Sequence, residues 1–228
     1  MVVLIALVGL VVGNLLNVVI ARQLVSAYRV RVPRRKEALD WVPLLGAWRR
    51  RAWLELAVEV VTGLMAAALF LRYGASVRSL VLFGASLVLI DTGAIDFKVR
   101  MIDTLVLVAA IVVVLALAPL NAIGWLASAF GLVMATIMFF LLYMLAKVLF
   151  PGVAAPFGLG DVYLAAFIGA LVGFRDLSVA LFYGIAMAGL VSIVLIVLRS
   201  TGRRGPKYIA YGTYLCLGTL LFLATRTY

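Results

Sequence analysis

The sequence predicts an all-α, polytopic membrane protein of about eight transmembrane helices with its N-terminus outside. Three observations carry that expectation. Hydrophobic residues make up 67% of the 228 and charged residues 13%, against roughly half and a quarter in soluble domains. A water-soluble fold of this composition could not cover its own core. Apolar runs recur at close to the ~20 residues a helix needs to cross the hydrocarbon, and Lys and Arg concentrate on alternate connections between them.

Taken in order, the first span is residues 2–21, which lacks the basic start and small-residue cleavage site of a signal peptide and is expected to stay as a permanent span. The second covers roughly 52–71 and contains Glu55 and Glu59; the third covers roughly 79–95 and contains Asp91. Residues 104–146 carry no charge, enough for two helices with a break at Pro119-Leu120-Asn121. A sixth runs from 162 to 174, a seventh from 177 to 198 and an eighth from 208 to 225. With the N-terminus outside, 16 of the 20 Lys and Arg lie on the inside and four (Arg72, Arg78, Arg175 and Arg226) on the outside, the bias that fixes orientation.

The chain therefore reads as a single integral-membrane unit, 1–228. Its formal charge of +11 suggests a topology determinant near anionic headgroups and not a nucleic-acid surface, because nine basic residues crowd into Arg22–Arg51. That 22–51 loop is too short for a core of its own. With no His and one Cys, Cys216, Ser-His and Cys-His catalysis and Cys-based zinc sites are excluded. No metal and no cofactor is expected, and chemistry falls to carboxylates.

Five acids lie in or beside apolar spans: Glu55, Glu59, Asp91, Asp96 and Asp161, with Asp103 at a boundary. Such residues are costly in a bilayer and are functional candidates by default. Asp161 closes Gly158-Leu159-Gly160-Asp161 and opens an apolar helix. It reads either as an N-cap or as a site residue. Only 13 residues separate it from Arg175, about 20 Å of helix against a hydrocarbon core of about 30 Å. The uncharged stretch before it holds Pro151, Gly152 and Pro156, so the chain is expected to dip unwound into the membrane, where irregular backbone must line a cavity or be buried in protein. Asp96 ends the third span and reads either as a solvated acid balanced by Lys98 and Arg100 or as a partner for Asp161. The topology sets these two on the same face, 65 positions apart. Two carboxylates meeting in a partly dry site share a proton. One then takes a proton from water while the other polarises a carbonyl. A helix N-terminus favours Asp161 as the ionised member. Glu55 and Glu59, at i and i+4, share a helix face and suit polar anchors, or a cation or Arg partner.

These residues resemble the type IV prepilin peptidases, integral-membrane aspartic proteases. The second catalytic aspartate of that family ends a Gly-x-Gly-Asp motif, as Gly158, Gly160 and Asp161 do. The first lies in Ile-Asp-x-x-x-x-x-Ile-Pro, matched by Ile95-Asp96 through Ile102, with Asp103 where the family has Pro; Ile90-Asp91 is a second Ile-Asp pair. Gly9–Arg22 resembles the opening span, Val58–Leu64 the second, and Tyr211–Gly218 the closing Phe-Gly-Pro-x-Leu-Ala-Leu-Gly, with Thr213 replacing Pro. The resemblance implies cleavage of the basic leader of prepilins or pseudopilins by Asp96 and Asp161 at the cytoplasmic face of the inner membrane. Bifunctional members carry paired Cys-x-x-Cys motifs, associated with zinc and N-methylation. Asp40–Trp48 resembles the tail of that region without a cysteine, so neither zinc nor methyl transfer is expected. Two other readings stay open. One is a presenilin- or signal-peptide-peptidase-like protease, which shares Gly-x-Gly-Asp but whose Tyr-Asp and Pro-Ala-Leu motifs are missing here. The other is a non-enzymatic transporter or scaffold, with Gly9-x-x-x-Gly13 and Gly169-x-x-x-Gly173 as helix-packing motifs.

Overall fold

A computed structural model describes residues 1–32, 38–121, 123–149, 158–200 and 209–225. The described residues form helices α1 (Val2–Ser26), α2 (Leu45–Arg49), α3 (Trp53–Tyr73), α4 (Val77–Val99), α5 (Thr104–Ala116), α6 (Trp125–Leu149), α7 (Leu159–Ser200) and α8 (Tyr211–Thr225). Short 3-10 turns lie at Ala38–Trp41 and Ala118–Asn121, and no strand occurs among the described residues. Among the described residues five helices are long and apolar enough to cross a membrane: α1, α3, α4, α6 and α7. Helices α5 and α8 are apolar but shorter. The outward face of α6 carries Phe130, Ile137 and Leu141 at more than half exposure. A continuous apolar surface of this kind belongs against lipid.

The expected break at Pro119-Leu120-Asn121 is present as the second 3-10 turn. The expected pair of spans at 162–174 and 177–198 is present as two helical halves of α7 joined across a kink, where Gly173 takes φ 74°, ψ 168°. That left-handed φ is one glycine adopts without strain. A break there strips carbonyls four residues upstream of their helical partners. Ser128 Oγ donates to the Ala170 carbonyl and Asn121 Nδ2 to the Leu171 carbonyl, so α6 and the turn before it supply the missing donors. Close packing accompanies this, since a Cβ on Gly169 would collide with the Gly131 backbone. The first half of α7 is the centre of the bundle, with Leu164, Phe167, Ile168 and Leu171 fully buried and with α5, α6 and α8 packed around it.

On the other side, α1 lies along α3. A Cβ on Gly13 would sit 2.8 Å from Glu59 Cα, and one on Gly9 2.9 Å from Gly63 Cα; the glycines allow the backbones to touch. The same contact organises the 22–51 loop, which has too little chain for a core and docks by hydrogen bonds. Asn14 Nδ2 donates to the Trp41 carbonyl at 2.7 Å, and Asn17 Nδ2 contacts the Glu55 carbonyl at 2.9 Å and Glu59 Oε1 at 3.2 Å. Glu59, 1% exposed, accepts the Leu44 N–H on Oε2. Arg50 forms a two-point pair with Glu55 at 2.7 and 3.1 Å. The expected role of Glu55 and Glu59 as polar anchors thus has a concrete form, with Arg50 as the cationic partner of Glu55. The Pro33-Arg34-Arg35-Lys36 run and the basic residues Arg203, Arg204, Lys207 and Arg226 lie outside the described residues.

Candidate functional site

Asp96 occupies the last turn of α4 and is 5% exposed, so it is not the solvated juxtamembrane acid that Lys98 and Arg100 suggested. Its Oδ2 accepts the Thr213 backbone N–H at 2.7 Å and lies 3.0 Å from Thr213 Oγ1. That hydroxyl is also 3.0 Å from the Gly93 carbonyl and has one proton to give to either. Thr213 is the third residue of α8, where backbone N–H groups have no partner inside the helix. Asp96 therefore caps α8 from a different helix, and the positive end of that helix faces the carboxylate.

Asp161 sits in the first turn of α7. It is not the N-cap, because the helix starts at Leu159 and Gly158 stands at the cap position. Instead Asp161 Oδ2 accepts the Gly158 N–H at 2.9 Å, the reach-back half of a capping box. Both acids thus lie at helix N-termini. The approach to this turn, with Pro151, Gly152 and Pro156, falls outside the described residues, and so does the expected dip into the membrane.

Ile102 lies against the starts of both α7 and α8. A Cβ added at Gly160 would stand 2.8 Å from Ile102 Cβ. One added at Gly212 would stand 2.9 Å from Ile102 Cδ1 and 3.0 Å from Asp96 Oδ2. The two glycines let the starts of α7 and α8 close on one side chain, at the end of the bundle where α4 finishes. Asp96 and Asp161 are near enough for their charges to interact, and Asp161 also interacts with Tyr211. Buried Cys216 is within electrostatic reach of Asp96, Asp161 and Asp91. Asp103, the departure from Ile-Pro, caps α5, its Oδ1 accepting from Leu105 N–H at 3.0 Å and Val106 N–H at 3.4 Å.

Thr213 and Ile102 are the parts that residue chemistry alone did not mark. Thr213 stood out only as a substitution for Pro, and Ile102 only as a motif position. Beside them an apolar groove of about 330 Å³ runs between α3, α4 and α8, lined by Val61, Leu89, Gly93, Phe97, Thr213 and Leu217 among others. Neither aspartate lines it. No group of three or more His, Cys, Asp or Glu suited to a metal occurs among the described residues.

The helices and the acids they enclose define a multi-pass membrane protein with two carboxylates gathered at one end of the bundle. A chain similar to it is the prepilin leader peptidase/N-methyltransferase of Myxococcus xanthus (strain DK1622), 30% identical over 226 residues, an alignment that covers 87% of this chain and 64% of that protein. The chain thus spans a little under two thirds of the length of this relative, and the likeness supports the resemblance drawn from the motifs. No protein-family model matches the chain, and no solved structure matches it.

Proposed function

We propose that this protein is a membrane aspartic endopeptidase that removes the basic leader of prepilins or pseudopilins, with Asp96 and Asp161 as a catalytic dyad. The observation that carries the proposal is that two acids 65 positions apart each accept an N–H from a helix N-terminus, and that both helix starts close on Ile102. Likeness to a prepilin leader peptidase supplies the substrate class. Counting α5, α8 and the two halves of α7 with the four other long helices gives eight crossings. With the N-terminus outside, the dyad lies at the cytoplasmic face, which in a bacterium is that of the inner membrane.

The chemistry follows from two carboxyls holding one proton between them. The ionised member takes a proton from water as its oxygen attacks the scissile carbonyl carbon. The protonated member hydrogen-bonds to the carbonyl oxygen and stabilises the charge that develops there. Collapse of the tetrahedral intermediate breaks the C–N bond, and the leaving amine takes a proton from the dyad. Thr213 orients Asp96 and Gly158 orients Asp161, so both arrive preset, and Gly160 and Gly212 let the starts of α7 and α8 close on Ile102. The peptidase proposal does not extend to methyl transfer.

The test is cleavage of a leader-bearing pilin-like substrate by the protein in reconstituted membranes, followed by mass spectrometry. The leader should be released whole by the native protein, and a substrate that carries the apolar span without a leader should remain intact. Cleavage inside the span would instead indicate a presenilin-like protease. Both substrates left uncut would remove the peptidase reading.

A further inference from the structure

The third acid at this end of the bundle is not used by the proposed chemistry. Asp91 sits one and a half turns before Asp96 on α4 and is 5% exposed. Its Oδ1 has no hydrogen-bond partner. Across the helix contact, the Gln23 side chain near the C-terminal end of α1 lies beside the Asp91 carboxyl, and Gln23 Oε1 is likewise buried without a partner. Two neighbouring side chains thus each keep one orphaned buried oxygen. Buried acceptors without donors are rare because each costs about 1–3 kcal/mol.

An ionised carboxylate offers only acceptors, whereas a carboxylic acid has one O–H to give. We infer that Asp91 is a carboxylic acid whose Oδ1–H donates to Gln23 Oε1, while Gln23 Nε2–H donates to Asp91 Oδ2, a cyclic acid–amide pair that clamps α1 to α4. A single proton then satisfies both orphans, and a group deep among apolar helices carries no charge. The titratable groups facing Asp91 are Asp103, Tyr28 and Cys216. Asp103 Oδ1 is committed to the start of α5, so none of these acids replaces the Gln23 contact. The clamp acts as a positioning device. It fixes the turn of α4 that leads to Asp96 against α1, which packs mainly on α3. The inference stands independently of the peptidase reading, because its tests include none of cleavage.

An amide in place of the acid keeps the same two-bond ring, since Asn donates where the carboxylic acid did. Asp91→Asn should therefore unfold in detergent within a degree or two of the native protein, whereas Asp91→Ala and Gln23→Leu should each lose several degrees. Infrared difference spectra at neutral pH provide a readout that packing alone does not move. The C=O stretch of a protonated carboxyl should vanish in Asp91→Asn and shift upward in frequency in Gln23→Leu, where the acid has lost its amide. If Asp91→Asn is as unstable as Asp91→Ala, or if no protonated-carboxyl band disappears with Asp91, the residue is ionised or bound to a cation and the inference fails.

Discussion

Around Glu59, on the α1–α3 side of the bundle, and around Asp96 and Asp161, where α4, α7 and α8 meet, the same physical problem receives two solutions. Depth does not distinguish them, since Glu59 is 1% and Asp96 5% exposed. The source of the donors does. Glu59 is held by Asn17 from the adjoining helix and by the Leu44 N–H of a loop that has no core of its own, so its charge fastens that loop to the membrane-embedded helices. Asp96 and Asp161 take their donors from the first turns of α8 and α7, and the Asp96 charge reaches Asp161. An acid whose oxygens tie down a loop is used up by the structure. Two acids held by helix N-termini that close on Ile102 are the pair the proposed chemistry uses.

The comparison breaks most sharply under amide substitution. Asp161→Asn should lower leader cleavage about 10³-fold, within the range for removing a general acid or base, while Glu59→Gln, which keeps the shape and one acceptor, should leave kcat within a few-fold. Rates per folded molecule in proteoliposomes decide it. Equal losses in the two variants would erase the distinction. Next in size is Glu59→Leu, which leaves the Leu44 N–H and the Asn17 amide without their carboxylate. A loss of about 3 kcal/mol is expected from breaking a buried charged hydrogen bond, read as a lower midpoint in thermal unfolding with kcat of the surviving protein little changed. Gly212→Ala is smaller. Its Cβ would stand 3.0 Å from Asp96 Oδ2 and 2.9 Å from Ile102, and cleavage should fall about tenfold, some 1.4 kcal/mol of barrier. Smallest is Thr213→Val, which removes one hydroxyl hydrogen bond and keeps the N–H; a loss of about 1 kcal/mol corresponds to about a fivefold drop in kcat, with thermal stability nearly intact.

The membrane class was readable because 67% apolar residues leave no alternative, and Pro119 marked its own break. Asp96 and Asp161 were readable as candidates because charge in an apolar run is conspicuous. What composition and periodicity did not carry was partnership. That Thr213 would cap onto Asp96 depends on α8 reaching α4 across 117 positions. A break between spans ending at 174 and starting at 177 was readable, but not that Gly173 makes it or that Ser128 and Asn121 serve the carbonyls it frees. Asp161 looked like an N-cap because Gly-x-Gly suggests a turn; helix growth back to Leu159 put it two residues further in. Local signals locate side chains along an element, and contacts between distant elements decide what those side chains are for.

Residues that work as a unit lose their function together, and their effects do not multiply. The decisive measurement is therefore the cleavage rate of one leader-bearing substrate by Asp96→Asn, Asp161→Asn and the double variant, side by side in reconstituted membranes. The dyad predicts three equal residual rates, all about 10³-fold or more below the native protein. A double variant whose loss is the product of the two single losses, or a single variant that still cleaves at the native rate, would contradict it.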